Sequence, residues 1–210
     1  MPRYFFYKLV VDDGGAPCVS GGWLSLAICK PMIRSSAEEG DLVFGFAANS
    51  LHKDNRLIYI AKVTKKLRGE IYYREAAYAR RGDCIYRWDS QDYSVRAGAK
   101  FHGSSNDLQH DLGKSPDFQR ANVLLSDDFR YFGGGLSEHY KERFPNLAKA
   151  VEKLGRGHRV HHESELVSEL EKLKTETWRD FETQIAGSAS QAPRYGISHR
   201  GGGCGSIEKC

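Results

Sequence analysis

Residues 42–47, Leu-Val-Phe-Gly-Phe-Ala, carry no polar side chain on either face. A strand points successive side chains to opposite faces, so a run apolar throughout must be covered on both and is not an edge. Glu38-Glu39-Gly40-Asp41 is a turn ahead of it, and His52 to Asn55 turn the chain after it. Leu57 to Thr64 then alternates well enough to be the partner strand of a hairpin. A chain of 210 residues, 40% hydrophobic and 28% charged, buries a core around such a hairpin without help from disulfides or metals.

Other segments fill in the same pattern. Arg3 to Val11 reads as a strand ended by Asp12-Asp13-Gly14-Gly15. Trp23 to Lys30 reads as a short helix or strand before Pro31, and residues 70–81 as helical or extended. Cys84 to Trp88, Tyr93 to Ala97, Lys100 to His102, Asn122 to Ser126 and Phe129 to Phe132 are further short elements. Gly103 to Gln119 is a polar stretch. From 136 the spacing becomes helical: Leu147, Val151 and Leu154 mark one helix, broken near Pro145 and capped by Gly155. Leu166, Leu170 and Leu173 mark an amphipathic second helix over 163–183, a possible docking face for a protein partner. Strands first and helices last give an α+β domain, a barrel or strongly bent sheet with helices packed on one side.

No window approaches ~18 consecutive apolar residues, so no membrane span is expected. Five cysteines without a CxxC pair, and no secretory leader ahead of the first strand, suit a reducing cytoplasm. The formal net charge is only +4, yet residues 62–81 hold seven Lys and Arg against two Glu. That stretch is either a solvated face or a phosphate-binding one.

Glu39-Gly40-Asp41-Leu42-Val43-Phe44, then Phe46 to Ser50, then Ile58 to Val63 resembles the central hairpin of the PUA-like superfamily, which includes EVE, YTH and ASCH domains. The aromatic first strand from Tyr4 to Lys8, Trp23 ahead of the Gly-Asp turn, and the Asp83 to Trp88 segment extend the similarity to EVE domains over about residues 3–102. The whole chain also resembles the nucleotide modification associated domains of bacteria and phages. Gly15 to Cys18, Ile28-Cys-Lys-Pro31, Ser126 to Gly133 and Gly155-Arg-Gly-His-Arg159 carry that resemblance. The fold implied is a compact PUA-like, EVE-like β-barrel over 1–135, with 136–186 as its C-terminal helical part and 187–210 as a Gly/Ser-rich extension.

The function implied is recognition of a modified base, in DNA, RNA or a free nucleotide, in a DNA-modification or phage-defence setting. Such readers extrude a base, stack it on an aromatic face and read its edge with a few polar groups. Trp23 and Trp88 resemble pocket-wall residues and are the stacking candidates, with plain core packing as the alternative. Asn49 and Ser50 offer hydrogen bonds to a base edge, or simply cap a turn. Lys100 and His102 could reach phosphate or base. Lys65, Lys66 and Arg68, with Arg156, His158 and Arg159, are the phosphate candidates.

The competing reading is an enzyme acting on a modified nucleotide, with Asp111, Asp127 or His102 as acid–base groups. It requires at least two of them to converge. The His158, His161 and His162 loop favours anion contact over a metal, and His199, Cys204 and Cys210 make a weak zinc set. No GxSxG, catalytic-cysteine signature, kinase or P-loop motif appears. On the base-recognition reading no cofactor, metal or catalytic residue is expected.

Overall fold

The computed structural model describes residues 1–135, 139–185 and 187. Apart from Gly187, the expected extension over 187–210, with His199, Cys204 and Cys210, lies outside the described residues. The strands are β1 (Tyr4–Leu9), β2 (Cys18–Ser20), β3 (Trp23–Leu26), β4 (Leu42–Ala47), β5 (Leu57–Lys62) and β6 (Lys65–Arg68). They continue with β7 (Tyr86–Trp88), β8 (Tyr93–Val95), β9 (Asn122–Ser126), β10 (Asp128–Tyr131) and β11 (His158–Arg159). The helices are α1 (Pro31–Ser36), α2 (Gly69–Tyr72), α3 (Ser105–Leu112), α4 (Tyr140–Arg143), α5 (Pro145–Lys153) and α6 (Ser164–Asp180).

The chain divides into two compact units interleaved in sequence. The first takes Met1–Asp12, Glu39–Val63 and the described residues from 127 onward. Its sheet runs β10-β5-β4-β1-β11, with β4 at the centre as its wholly apolar sequence demands. The β4–β5 hairpin is antiparallel, Val43 facing Ala61 and Phe44 facing Ile60, while β1 and β4 run parallel. Gly45 sits opposite Tyr59, and a Cβ there would overlap the Tyr59 ring and the Leu9 side chain, so no larger residue fits. Phe6, Phe44, Phe46 and Ile60 meet Leu147 and Val151 of α5 and Leu166, Leu170 and Leu173 of α6 in one core. The apolar stripe of α6 is therefore covered within its own unit and is not the free docking face its periodicity suggested.

The second unit comprises Asp13–Glu38 and Thr64–Ser126 among the described residues. Its antiparallel sheet runs β2-β3-β9-β6, and β7 and β8 form a separate hairpin. The core is rich in rings. Tyr73 meets Tyr86 edge-on at 5.3 Å between centroids, and Tyr93 meets Phe118 edge-on at 4.7 Å. Buried phenols need partners for their hydroxyls, so such a core carries a polar network with it.

The α+β class holds, but the described strands form open sheets and no closed barrel. Two structural features depart from the expected elements. Lys100 to His102 is neither strand nor helix, and α3 lies in the stretch read as merely polar. A reciprocal capping box starts that helix: Ser104 accepts from the Asp107 amide, and the Asp107 carboxylate accepts from the Ser104 amide. Its far end buries Asp111 and Leu112.

Candidate active site

β3 leads through Ala27 and Ile28 into the core, and the chain then turns sharply into α1. Cys29 and Lys30 make that turn with φ of 56° and 44°. Left-handed backbone costs a non-glycine residue about 1–3 kcal/mol and persists only where its surroundings over-determine it. Here they do. The Cys29 amide donates to Asp111 Oδ1 at 2.7 Å, and the Cys29 carbonyl accepts from Arg34 Nε at 2.6 Å.

His102, also left-handed at φ 43°, sits between the two side chains. Its Nδ1 lies 2.6 Å from Asp111 Oδ2 and its Nε2 lies 3.3 Å from Cys29 Sγ. Asp111 is fully buried, which by itself disfavours its charge. The hydrogen bond and charge of His102, followed by the Arg34 guanidinium and the Tyr86 hydroxyl, outweigh that burial and hold the carboxyl below its ordinary range. An ionised carboxylate only accepts, so Nδ1 carries the proton toward Asp111 and Nε2 is turned to the thiol. Tyr86 donates to the same Oδ2 at 2.7 Å, and burial, then Asp111, pushes its own pKa far up, so it stays a donor.

Cysteine, histidine and aspartate thus stand in line: a thiol, a base within reach of it, and a buried carboxylate fixing the base. Cys29 and His102 are half-buried while Asp111 is sealed, so the thiol end is the accessible one. The other described cysteines of this unit differ. Burial pushes the Cys18 thiol up to about 12 and the Cys84 thiol to about 11, keeping both protonated and inert.

The ligand atoms of Cys29, His102 and Asp111 lie within 4.8 Å of one another, close enough to consider a metal. The donor set argues otherwise. Asp111 Oδ2 already accepts from His102 and Tyr86 and Oδ1 from the Cys29 amide, so an ion would have to displace one of those donors or use the lone pair left on Oδ1.

Two of the three acid–base candidates, His102 and Asp111, therefore converge. Asp127 belongs to the first unit, where its carbonyl accepts from Gln184 Nε2. Trp23 and Trp88 are half-buried in the second unit, Trp88 packed 4.6 Å from Tyr93 and edge-on to Phe118 at 6.1 Å. Lys100 is exposed in that unit. Asn49 and Ser50 are exposed in the first unit, and Asn49 Oδ1 accepts from Asn55 Nδ2 at 2.6 Å across their turn.

Lys65 is exposed on β6, Lys66 pairs with Glu38 at 2.7 Å, and Arg68 lies 3.5 Å from Glu70. Arg156 is exposed, whereas His158 stacks on Phe5 and forms β11 with Arg159, paired with β1 at the sheet edge. His162 donates to the Tyr4 carbonyl, so that histidine loop serves the first sheet.

Three residues of the cluster had no functional reading in the sequence: Cys29, Arg34 and Tyr86. Cys29 stood within Ile28-Cys-Lys-Pro31 with no partner nearby, because His102 and Asp111 lie 73 and 82 positions away. The Cys-Lys pair before a proline was the available signal, since proline disfavours a helical residue ahead of it and marks a sharp bend.

Comparison with curated proteins and with solved structures finds no match. A family model, nucleotide modification associated domain 2, matches residues 1–187, which takes in all the described residues and so every residue of the cluster. The chain belongs to the nucleotide modification associated domain 2 family.

Proposed function

We propose that this chain is an enzyme of nucleotide modification in which Cys29 attacks an electrophilic carbon of a nucleotide or nucleobase. The observation that carries the reading is the alignment of Sγ, His102 and the sealed Asp111 carboxylate. Family membership supplies the nucleotide context. His102 Nε2 takes the thiol proton, and the sulfur electron pair forms the S–C bond. The displaced pair moves onto a ring heteroatom or leaving group, which receives the proton back from His102. Asp111 holds the imidazole in the required tautomer and stabilises its charged form. The Cys29 amide is engaged by Asp111, so charge developing on the substrate must be met by other donors.

The aromatic and basic candidates take a supporting place in this reading. Trp23 and Trp88, in the same unit as the nucleophile, offer flat faces for a base. Lys100 and the β6 cations offer charge to a phosphate. A modified base as substrate, and a DNA-modification or defence setting, remain part of the proposal.

Intact-mass and peptide-mapping analysis after incubation with canonical and modified nucleosides, nucleotides and oligonucleotides tests it. The expected result is an adduct on Cys29 or a converted nucleoside, lost in Cys29→Ala and in His102→Ala. Binding of a modified base with equal affinity in Cys29→Ala, and no adduct or conversion in the parent, would return the protein to a pure reader.

A further inference from the structure

Arg34 is the largest fully buried side chain among the described residues, and its hydrogen bonds go to the walls of the site described above. Its Nε donates to the Cys29 carbonyl at 2.6 Å. Nη1 donates to the carbonyls of Arg120 at 2.9 Å and Asn122 at 2.6 Å, and Nη2 to the Asp111 carbonyl at 2.6 Å. Nη2 also lies 3.9 Å from Asp111 Oδ1. One planar group thus ties together the nucleophile's own peptide, the end of α3 that presents the carboxylate, and the start of β9.

We propose that Arg34 is a positioning residue, holding the left-handed Cys29 and Asp111 in register so that His102 spans them. The proposal rests on the nucleophilic reading of Cys29. Three consequences of chemistry support it. A guanidinium presents several donors in a fixed plane, which an ammonium cannot imitate. Its hydrogen bonds go to backbone carbonyls, so it orients main chain rather than occupying the thiol or the imidazole. And Cys29 is gripped on both sides, by Arg34 at its carbonyl and by Asp111 at its amide, which is what an unfavourable φ needs in order to persist.

The test is the rate of Cys29 alkylation by iodoacetamide against pH, with peptide mapping to separate it from Cys204 and Cys210, in the parent and in Arg34→Lys. In the parent, a reactive plateau extending well below the ordinary thiol pKa of about 8.5 supports the nucleophilic reading itself. A parent profile that simply follows an ordinary thiol overturns that reading, and the role of Arg34 with it. Given the reactive parent, Arg34→Lys is expected to lower the rate at neutral pH at least about tenfold and to move the profile toward an ordinary thiol. A folded Arg34→Lys protein with the parent profile overturns the positioning role while leaving the nucleophile standing.

Should Arg34→Lys fail to fold, the parent protein still decides. The Arg34 Nε–H resonance is expected to exchange slowly with solvent and to shift when Cys29 is alkylated. An Nε–H that exchanges freely, or is unmoved by alkylation, overturns the proposal.

Discussion

Two aspartates of the second unit are equally buried and oppositely tuned. Asp83 accepts from Ser25 Oγ at 2.5 Å and from Tyr72 at 2.7 Å, with Arg81 Nε at 3.7 Å. Asp111 accepts from Cys29, His102 and Tyr86, with Arg34 at 3.9 Å. Burial raises the pKa of Asp83 despite Arg81 and its hydroxyl donors, whereas at Asp111 the imidazole and guanidinium tip the balance the other way. The difference lies in what the carboxylate faces. Asp83 is surrounded by hydroxyls and a cation that is itself bonded to the carbonyls of Cys18, Ser20 and Trp23, a closed network that fastens β2 and β3 to the 81–83 turn. Asp111 opens through His102 onto a half-buried thiol. Burial of a carboxylate alone does not mark a site; a titratable, accessible neighbour does.

The sharpest way to break this contrast is to remove a partner on each side. His102→Ala should slow Cys29 alkylation and any turnover by about 10²–10⁴-fold, the usual worth of a positioned base, and should also cost some stability, because it takes from the buried Asp111 its bond at 2.6 Å. Asp83→Ala should spare the chemistry. It removes the acceptor of Ser25 Oγ and Tyr72 and the anion facing Arg81, costing on the order of 3–5 kcal/mol as a broken buried pair, while Cys29 reactivity in the remaining folded protein is unchanged. Denaturant melts and alkylation rates on the two variants decide it. A large loss of reactivity in Asp83→Ala would mean the two networks act as one.

A smaller effect separates the carboxylates by pH. Asp111, depressed in the folded state, contributes stability above the unfolded carboxyl range near 3.9, and that contribution is lost as pH falls through its folded pKa. Asp83 is raised, so between the unfolded value and its folded one the native state holds the extra proton, and stability falls as pH rises across that window. The stability difference between parent and Asp111→Asn should therefore shrink on acidification. Between parent and Asp83→Asn the difference should move in the parent's favour over the same change. Melts of the three proteins from pH 7 to pH 3 check the signs, and parallel slopes would erase the distinction.

Much of the first unit was legible in the sequence, and most of the site was not. The apolar run of β4 and the alternation of β5 specify a buried hairpin locally, and the leucine spacing of α6 specifies a helix. Open sheets in place of a barrel depend on which strands pair across long separations, such as β3 with β9, and no local pattern carries that. The α3 helix was hidden because its apolar content is low and its strongest signal is a capping box. His102 and Asp111 were named as chemically able, yet their partner Cys29 is fixed by a turn whose strain is held from distant segments. Nothing in the local sequence sets Arg34 or Tyr86 apart; their hydrogen bonds to distant segments do.

The finest test uses two buried tyrosines, each donating to one of the two carboxylates. Tyr72 donates to Asp83 Oδ1 and Tyr86 to Asp111 Oδ2, each at 2.7 Å and each deep in the ring-rich core. Deleting the Tyr86 hydroxyl removes one hydrogen bond to a charged group, worth about 1.5–3 kcal/mol, and Tyr72→Phe should cost at least as much, because the Tyr72 hydroxyl also accepts from Arg81 Nε at 3.2 Å. Only Tyr86→Phe should alter chemistry. With one donor gone, Asp111 is a stronger acceptor for the Nδ1–H of His102, the charged imidazole is better stabilised, and the alkaline limb of the Cys29 alkylation profile moves to higher pH by less than about one unit. Equal profiles for the two variants would make Asp111 a second Asp83, a buried structural carboxylate that happens to touch a histidine.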